Sequence, residues 1–472
     1  MNAAQLSYRP RGLYIGGEWC ASRAGKTMRT INPATGEVLG EVPWAGEEDV
    51  AAAVAAAQRG AAEWRRVPPA ERARSLERLA ARITDHVDEL ALMDAVDSGN
   101  AISGMRTDME LAAATLRYFA GLVREIKGET IVNGPHHLNY TLRQPYGVVG
   151  KINAFNHPFR FCAEKAAAPL AAGNSVVIKQ PEQAPLSGLR FGELCADLFP
   201  PGVVNVLTGG AVAGSALVRH PEVRRIAFIG SVETGRIVAR EAAETIKYVS
   251  LELGGKNPII IFPDADPDEA ASLAIRGMNM NRQGQSCSST SRVFVHESLH
   301  ERVVEGLVTA AEALPVGLPW EEGAEVGPLI SQEQLNRVQG YIAAGQAEGA
   351  RLLTGGGPPQ DARLNGGFFI EPTVFDAVTP AMRIAREEIF GPVISVLRWH
   401  DYEQLLAEVN ALIYGLTAAI VTNDLKLALE TADRIEAGYV WINSAGRYLG
   451  APYGGWKQSG IGREESLDQL LS

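Results

Sequence analysis

Cys287 stands in the segment NRQGQSCSSTSR, after a glycine-containing turn and between Ser286 and Ser288. A polar loop of this kind is where a thiolate can meet a substrate, whereas an inert cysteine normally sits among aliphatic residues. A small buried loop cysteine is the plainer reading of the same residues. Glu252 ends the apolar run in KYVSLELGGKNP, ahead of Gly254 and Gly255. Apolar surroundings disfavour the charged carboxylate and raise its pKa toward values useful in a general base; a paired glutamate followed by a glycine turn fits equally well. Asn156, in INAFNHPFRF, follows an apolar run and precedes Pro158. Its amide offers N–H donors to a developing oxyanion, a contribution of about 3–4 kcal/mol per donor, against the alternative of an Asx turn.

These residues need elements to hold them. GLYIGGEWC turns at Gly16 and Gly17 and predicts a β-hairpin, and INPATGEVLGEVP predicts a second short strand pair. From Glu48 to Gly121 apolar residues recur at helical spacing, as in ERARSLERLAARITDHVDELALM. From Tyr146 the pattern becomes short β-branched runs separated by helical stretches: GVVGKINA, NSVVIKQ, VVNVLTG, RRIAFIGS and KYVSLELGG. Such alternation predicts a parallel, doubly wound sheet, in which ligands bind beyond the carboxyl ends of the strands. Asn156 and Glu252 follow or end such runs. A second α/β stretch starts near Pro258 and continues through TSRVFVHESL, PVISVLRWHD and GLTAAIVTND. It reads as a second domain, because single sheets seldom grow through so many strands. With no long linker between them, the two domains are expected to be closely apposed across a cleft.

Composition removes several function classes. The chain has 472 residues, enough for two or three domains with their own cores, and a formal net charge of -11, which is the wrong sign for a nucleic-acid footprint. No apolar run approaches the roughly 18 residues that span a bilayer, and the opening MNAAQLSYRP has no apolar leader core, so a cytoplasmic location is expected. The four cysteines, at positions 20, 162, 195 and 287, have neither zinc-site spacing nor disulfide density. No metal is expected.

In the order Asn156, Glu252, Cys287, and across nearly the whole chain, the sequence closely resembles the aldehyde dehydrogenase superfamily. The resemblance rests on seven segments in register: FNHP, VVIKQPE, FIGSVETG, LELGGK, GQSC, EEIFGP and PYGGWKQSGIGRE. It implies an α/β fold of aldehyde dehydrogenase type: a variant Rossmann cofactor domain (1–122 and 146–253), a second α/β catalytic domain (254–455), and oligomerisation or bridging segments (123–145 and 456–472), the first of them a small hairpin. No G-x-G-x-x-G occurs, so the ordinary dinucleotide fingerprint is silent. By motif, Lys179 and Glu182 would meet the adenosine ribose, and Gly230 and Ser231 would open a helix toward the pyrophosphate. Glu388 would hold the nicotinamide ribose with Phe390 against the ring, and Phe155, Gly214 and Leu253 complete the implied cofactor set. Glu182 would repel a 2′-phosphate, which favours NAD while leaving NADP possible.

The resemblance further implies that Cys287 is the nucleophile, Asn156 the oxyanion donor and Glu252 the hydrolytic base, with Glu464 assisting a proton path. His157, Phe161, Asn281, Ser288, Tyr448 and Tyr453 would line the aldehyde channel. Such a lining suits an aromatic or medium-sized aldehyde. Arg160 and Arg447, close to lining positions, offer the alternative of a carboxylate-bearing semialdehyde. Glu252 argues against a CoA-acylating enzyme, whose branch generally lacks the base, and the intact trio argues against a catalytically silent relative. His157 departs from the aromatic or aliphatic residue usual after the asparagine. The ending EESLDQLLS stops short of a common terminal strand, so a homodimer is expected, with a homotetramer as the alternative.

Overall fold

The computed structural model describes residue 6 and residues 10–472. Most of the N-terminal decapeptide read above for a leader lies outside them. The GLYIGGEWC hairpin forms as Leu13–Ile15 and Glu18–Cys20. Its two turn residues, Gly16 at φ 65° and Gly17 at φ 88°, take the left-handed conformation that a tight hairpin turn needs. INPATGEVLGEVP contributes to the separate antiparallel pair Thr27–Ile31 and Val38–Pro43.

The helical segment resolves into Glu47–Trp64, Pro69–Asp85, Val87–Ser98 and Ile102–Gly121. Gly99, at φ 80°, ends the third of these in the left-handed conformation that favours glycine at helix C-termini.

All five β-branched runs become parallel strands of one sheet: Val148–Ile152, Ser175–Lys179, Val204–Leu207, Val223–Ile229 and Tyr248–Glu252. Two antiparallel additions were not anticipated. The opening hairpin joins one edge through Tyr14 opposite Val206, and Gly460–Ile461 joins the other edge beside Leu251 and Glu252. The second sheet orders its strands Arg351–Thr354, Thr373–Asp376, Val393–Trp399, Arg292–His296, Pro258–Ile261, Thr417–Val421 and Tyr439–Ile442. Apolar side chains cover both faces of each sheet, which accounts for runs such as Pro258–Ile261 being buried throughout.

Helix Pro158–Ala171 is buried at every position, packed between Ile102–Gly121 and the first sheet. A wholly buried helix that carries Arg160, Glu164 and Lys165 must pair them internally. Hairpin Thr130–Val132 with Leu138–Tyr140 is a two-stranded sheet of its own, exposed at every strand position. Among the described residues no helix is long and apolar enough to cross a membrane.

Candidate active site

Asn156 lies in the turn between strand Val148–Ile152 and helix Pro158–Ala171, and Glu252 is the last residue of strand Tyr248–Glu252. Cys287 is supplied from the other sheet, by the loop that follows the short turn Met280–Arg282 and precedes strand Arg292–His296. The three border a single cleft of about 650 Å3. Phe155, Lys179, Glu182, Gly214, Gly230, Ser231, Leu253, Glu388 and Phe390 line the same cleft.

The cleft suits a dinucleotide. Ser231 caps helix Val232–Ala243 by accepting the Thr234 N–H at 3.2 Å, which leaves other first-turn amides for an anion. A Cβ at Gly230 would sit 2.4 Å from the tip of the Phe228 ring, so a side chain there would displace that ring. Burial lowers the Lys179 pKa and the Glu182 charge pulls it back up, and both side chains line the cleft where ribose hydroxyls could meet them. At the other end, Glu388 Oε1 accepts the Gly255 N–H at 2.9 Å. Burial nevertheless pushes the Glu388 carboxyl up to about 7. A Cβ at Gly254 would fall 2.0 Å from Glu388 Oε2 and push that carboxylate from its place. Phe390, held at φ 59°, meets the Phe155 ring edge-on at 5.7 Å.

The reacting end is built from groups left unpaired. Both carboxylate oxygens of Glu252 are buried without a hydrogen bond, as is Asn156 Oδ1. Burial, then the nearby Glu464 charge, raises the Glu252 pKa well above the carboxylate range. Burial pushes the Cys287 thiol up to about 11, with Arg447 the strongest pull in the opposite direction. The Cys287 loop is tied to the second sheet by one side chain: Asn257 Nδ2 donates to the Cys287 carbonyl at 2.8 Å and the Ser289 carbonyl at 2.9 Å. Its Oδ1 accepts the Thr417 N–H at 3.0 Å. Asn100, two residues past helix Val87–Ser98, donates from Nδ2 to the Asn156 carbonyl at 3.1 Å. Sequence reading missed both asparagines; Asn257, directly after LELGGK, was the detectable one.

The six expected channel residues separate. Tyr453 is buried, and its hydroxyl, without another partner, faces the Cys287 thiol. Ser288 turns to Ser286, with 3.2 Å between hydroxyls, and Asn281 accepts from Arg282 at 2.9 Å. Tyr448 is exposed. His157, its ring tilted against that of Phe161 with 5.0 Å between centroids, donates from Nδ1 to Asp108 at 2.7 Å. Burial lowers its pKa to about 3, so the ring is neutral at physiological pH.

Behind the site lies an ion cluster that no local pattern in the sequence announces. Asp108, fully buried, accepts from Arg282 at 2.6 Å and lies 3.4 Å from Arg160, which also donates to Glu164 at 2.7 Å. Burial would raise the Asp108 pKa, but Arg282, His157 and Arg160 hold it well below the usual range. Lys165 pairs with Glu464, and Arg447 donates to Glu465 at 2.8 Å. Replacing Asp108 with asparagine strips two buried guanidiniums of their shared counter-charge. An Asp108→Asn variant is expected to lose about 3–5 kcal/mol in denaturant unfolding; a loss below about 1 kcal/mol would mean that the cluster is solvated.

Comparison with known proteins agrees with this arrangement. Residues 19–472 match the model of the aldehyde dehydrogenase family. The chain is 46% identical over 469 residues to aldehyde dehydrogenase tropH of Talaromyces stipitatus, covering 98% of this chain and 91% of that one. It is 44% identical to a hydroxyisobutyraldehyde dehydrogenase of Mycolicibacterium austroafricanum, covering 98% and 92%. An NAD+ complex of an aldehyde dehydrogenase from Bacillus cereus superposes with a TM-score of 0.95 at 42% identity, covering 99% and 95%.

Proposed function

The chain belongs to the aldehyde dehydrogenase family, and from that premise we propose that it oxidises an aldehyde to the carboxylic acid with NAD, through a thioester on Cys287. The observation that carries the reading is the convergence of Asn156, Glu252 and Cys287 on the cleft that Lys179, Glu182, Ser231 and Glu388 also line. Bound there, NAD would supply the electrophilic ring that takes up the hydrogen and two electrons lost from the aldehyde carbon. Lys179 and Glu182 would hold its adenosine ribose, the helix opened by Ser231 its pyrophosphate, and Glu388 its second ribose.

Cys287, as thiolate, attacks the aldehyde carbon. The Asn156 amide and the Cys287 backbone N–H then stabilise the oxyanion of the thiohemiacetal. After oxidation to the thioester, Glu252 takes a proton from water aimed at its carbonyl, and the acid leaves. An elevated Glu252 pKa supports this role, since a base that titrates closer to neutrality can both accept and return the proton. The same carboxylate disfavours a CoA-acylating reading.

An aromatic or medium-sized aldehyde is the proposed substrate, supported by the buried Tyr453 ring facing the cysteine. Glu182 favours NAD over NADP, because a 2′-phosphate would meet its carboxylate. One assay tests these points: benzaldehyde with NAD should yield NADH and benzoate in equal amounts, and NADP should support kcat/KM about tenfold lower or less. Absence of NADH with every aldehyde would overturn the activity, and an NADP advantage the cofactor preference.

Residues 1–122 with 146–253 are proposed as the cofactor-binding unit and 254–455 as the catalytic one. A cytoplasmic setting is proposed, and the exposed hairpin, with Val132 at 76% and Leu138 at 66% exposure, supports a homodimer or homotetramer. Elution at monomer mass on size exclusion would contradict the assembly.

A further inference from the structure

Cys287 has two sides. One borders the dinucleotide cleft; Tyr453 and Arg447 lie outside that cleft's wall, yet both stand near enough to the Cys287 thiol to act on it, Tyr453 through its hydroxyl and Arg447 through its charge. Arg447 lies over the Tyr453 ring at 4.3 Å and gives one N–H to Glu465. A guanidinium has five donors, so most of its capacity is unspent. Its partner Glu465 is nearly sealed, with 9% of the side chain exposed against 19% for Arg447, so the open end of this pair is the cation.

The other arginine near the channel differs. Arg160 pairs with two carboxylates, Glu164 and Asp108, and only 9% of its side chain is exposed. The acidic side chains around Arg447 are already matched by cations: Glu465 accepts from Arg447 itself and Glu164 from Arg160. Arg447 is thus a planar cation with open donors, braced by an aromatic face and a buried carboxylate. That preorganised fork matches a carboxylate in geometry and charge.

We propose that Arg447 is a substrate-specificity residue that selects aldehydes carrying a carboxylate, the acid group docking on the guanidinium while the formyl carbon reaches Cys287. The proposal rests on the activity described above and narrows its substrate class, from aromatic or medium-sized aldehydes to acid-bearing ones.

The test compares 4-carboxybenzaldehyde with its methyl ester, and 4-oxobutanoate with its methyl ester, as NADH formation by the full chain. The wild-type protein should favour the acid over the ester by about 10- to 100-fold in kcat/KM in at least one pair, the pair identifying whether the acid is aromatic or aliphatic. Arg447→Met should reduce that ratio to about two or below, and Arg447→Lys should keep part of it. Because the readout is a ratio within one protein, a general loss of rate in a variant does not imitate it. NADH formed at equal efficiency from acid and ester by the wild type overturns the proposal while leaving the dehydrogenase activity standing, and this arm requires no variant to fold. No NADH from any of the four compounds or from benzaldehyde overturns the activity itself. An acid preference that survives in Arg447→Met overturns the assignment to Arg447.

Discussion

Cys287→Ala is expected to abolish steady turnover, with a loss of roughly ten-thousandfold or more, because no other nucleophile borders the cleft at that position. Cys287→Ser should recover little, since a neutral hydroxyl is a poorer nucleophile and would form a less reactive oxygen ester. Both variants should still bind NAD, read by quenching of protein fluorescence, because the thiol contributes nothing to the ribose and pyrophosphate contacts. Dehydrogenase turnover near the wild-type rate in Cys287→Ala would remove the nucleophile assignment. The same sulfur carries a pH signature. With its pKa pushed up to about 11 in the cofactor-free protein, the thiolate fraction rises about tenfold per pH unit between pH 7 and 9. Alkylation by iodoacetamide should follow that slope, and a flat profile would show a thiolate already formed at neutrality.

Glu252→Gln should separate the two halves of the reaction. Acylation is retained, so mixing enzyme, NAD and aldehyde should release a burst of NADH approaching one per active site. Hydrolysis then lacks its base, and steady turnover should fall by about 10²- to 10⁴-fold. In the wild type, deacylation should accelerate as pH rises through the elevated Glu252 pKa, and the variant should lose that limb. Stability runs in the opposite sense. Folding raises this carboxyl's pKa, so its ionisation opposes the folded state as pH climbs above the unfolded value near 4.3. Glutamine cannot ionise, and the variant's thermal midpoint at pH 8 should be no lower than the wild type's. A variant with neither burst nor turnover would assign Glu252 to activation of the thiol instead.

Much of the first sheet was legible because parallel strands buried on both faces read as continuous β-branched runs, and residues after such runs fall at the carboxyl edge. Glu252 and Asn156 are of this kind. What stayed hidden depends on chain segments far apart. Arg351–Thr354, Thr373–Asp376 and Tyr439–Ile442 include the edges of the second sheet, where flanking polar residues blur the pattern. Gly460–Ile461 is too short to register as a strand, yet it closes the edge beside Glu252. Asp108 sits on an amphipathic helix where an aspartate normally faces water; it is buried because Arg160 and Arg282, from two other segments, arrive beside it. The channel set had the same difficulty, since only folding decides that Tyr453 turns to the cysteine and Tyr448 to solvent.

Asn257 fastens the cysteine loop to the second sheet, whereas Glu252 and Asn156 ride on the first. The gap between sulfur and carboxylate is therefore a property of how the two halves of the molecule stand to each other, not of either half alone. A hinge displacement of about 1 Å, small for such a cleft, could slow the reaction a hundredfold with every reacting group intact. A dinucleotide held by Lys179 and Ser231 on one half and by Glu388 on the other, as proposed above, would act on the rate as a brace as well as an oxidant.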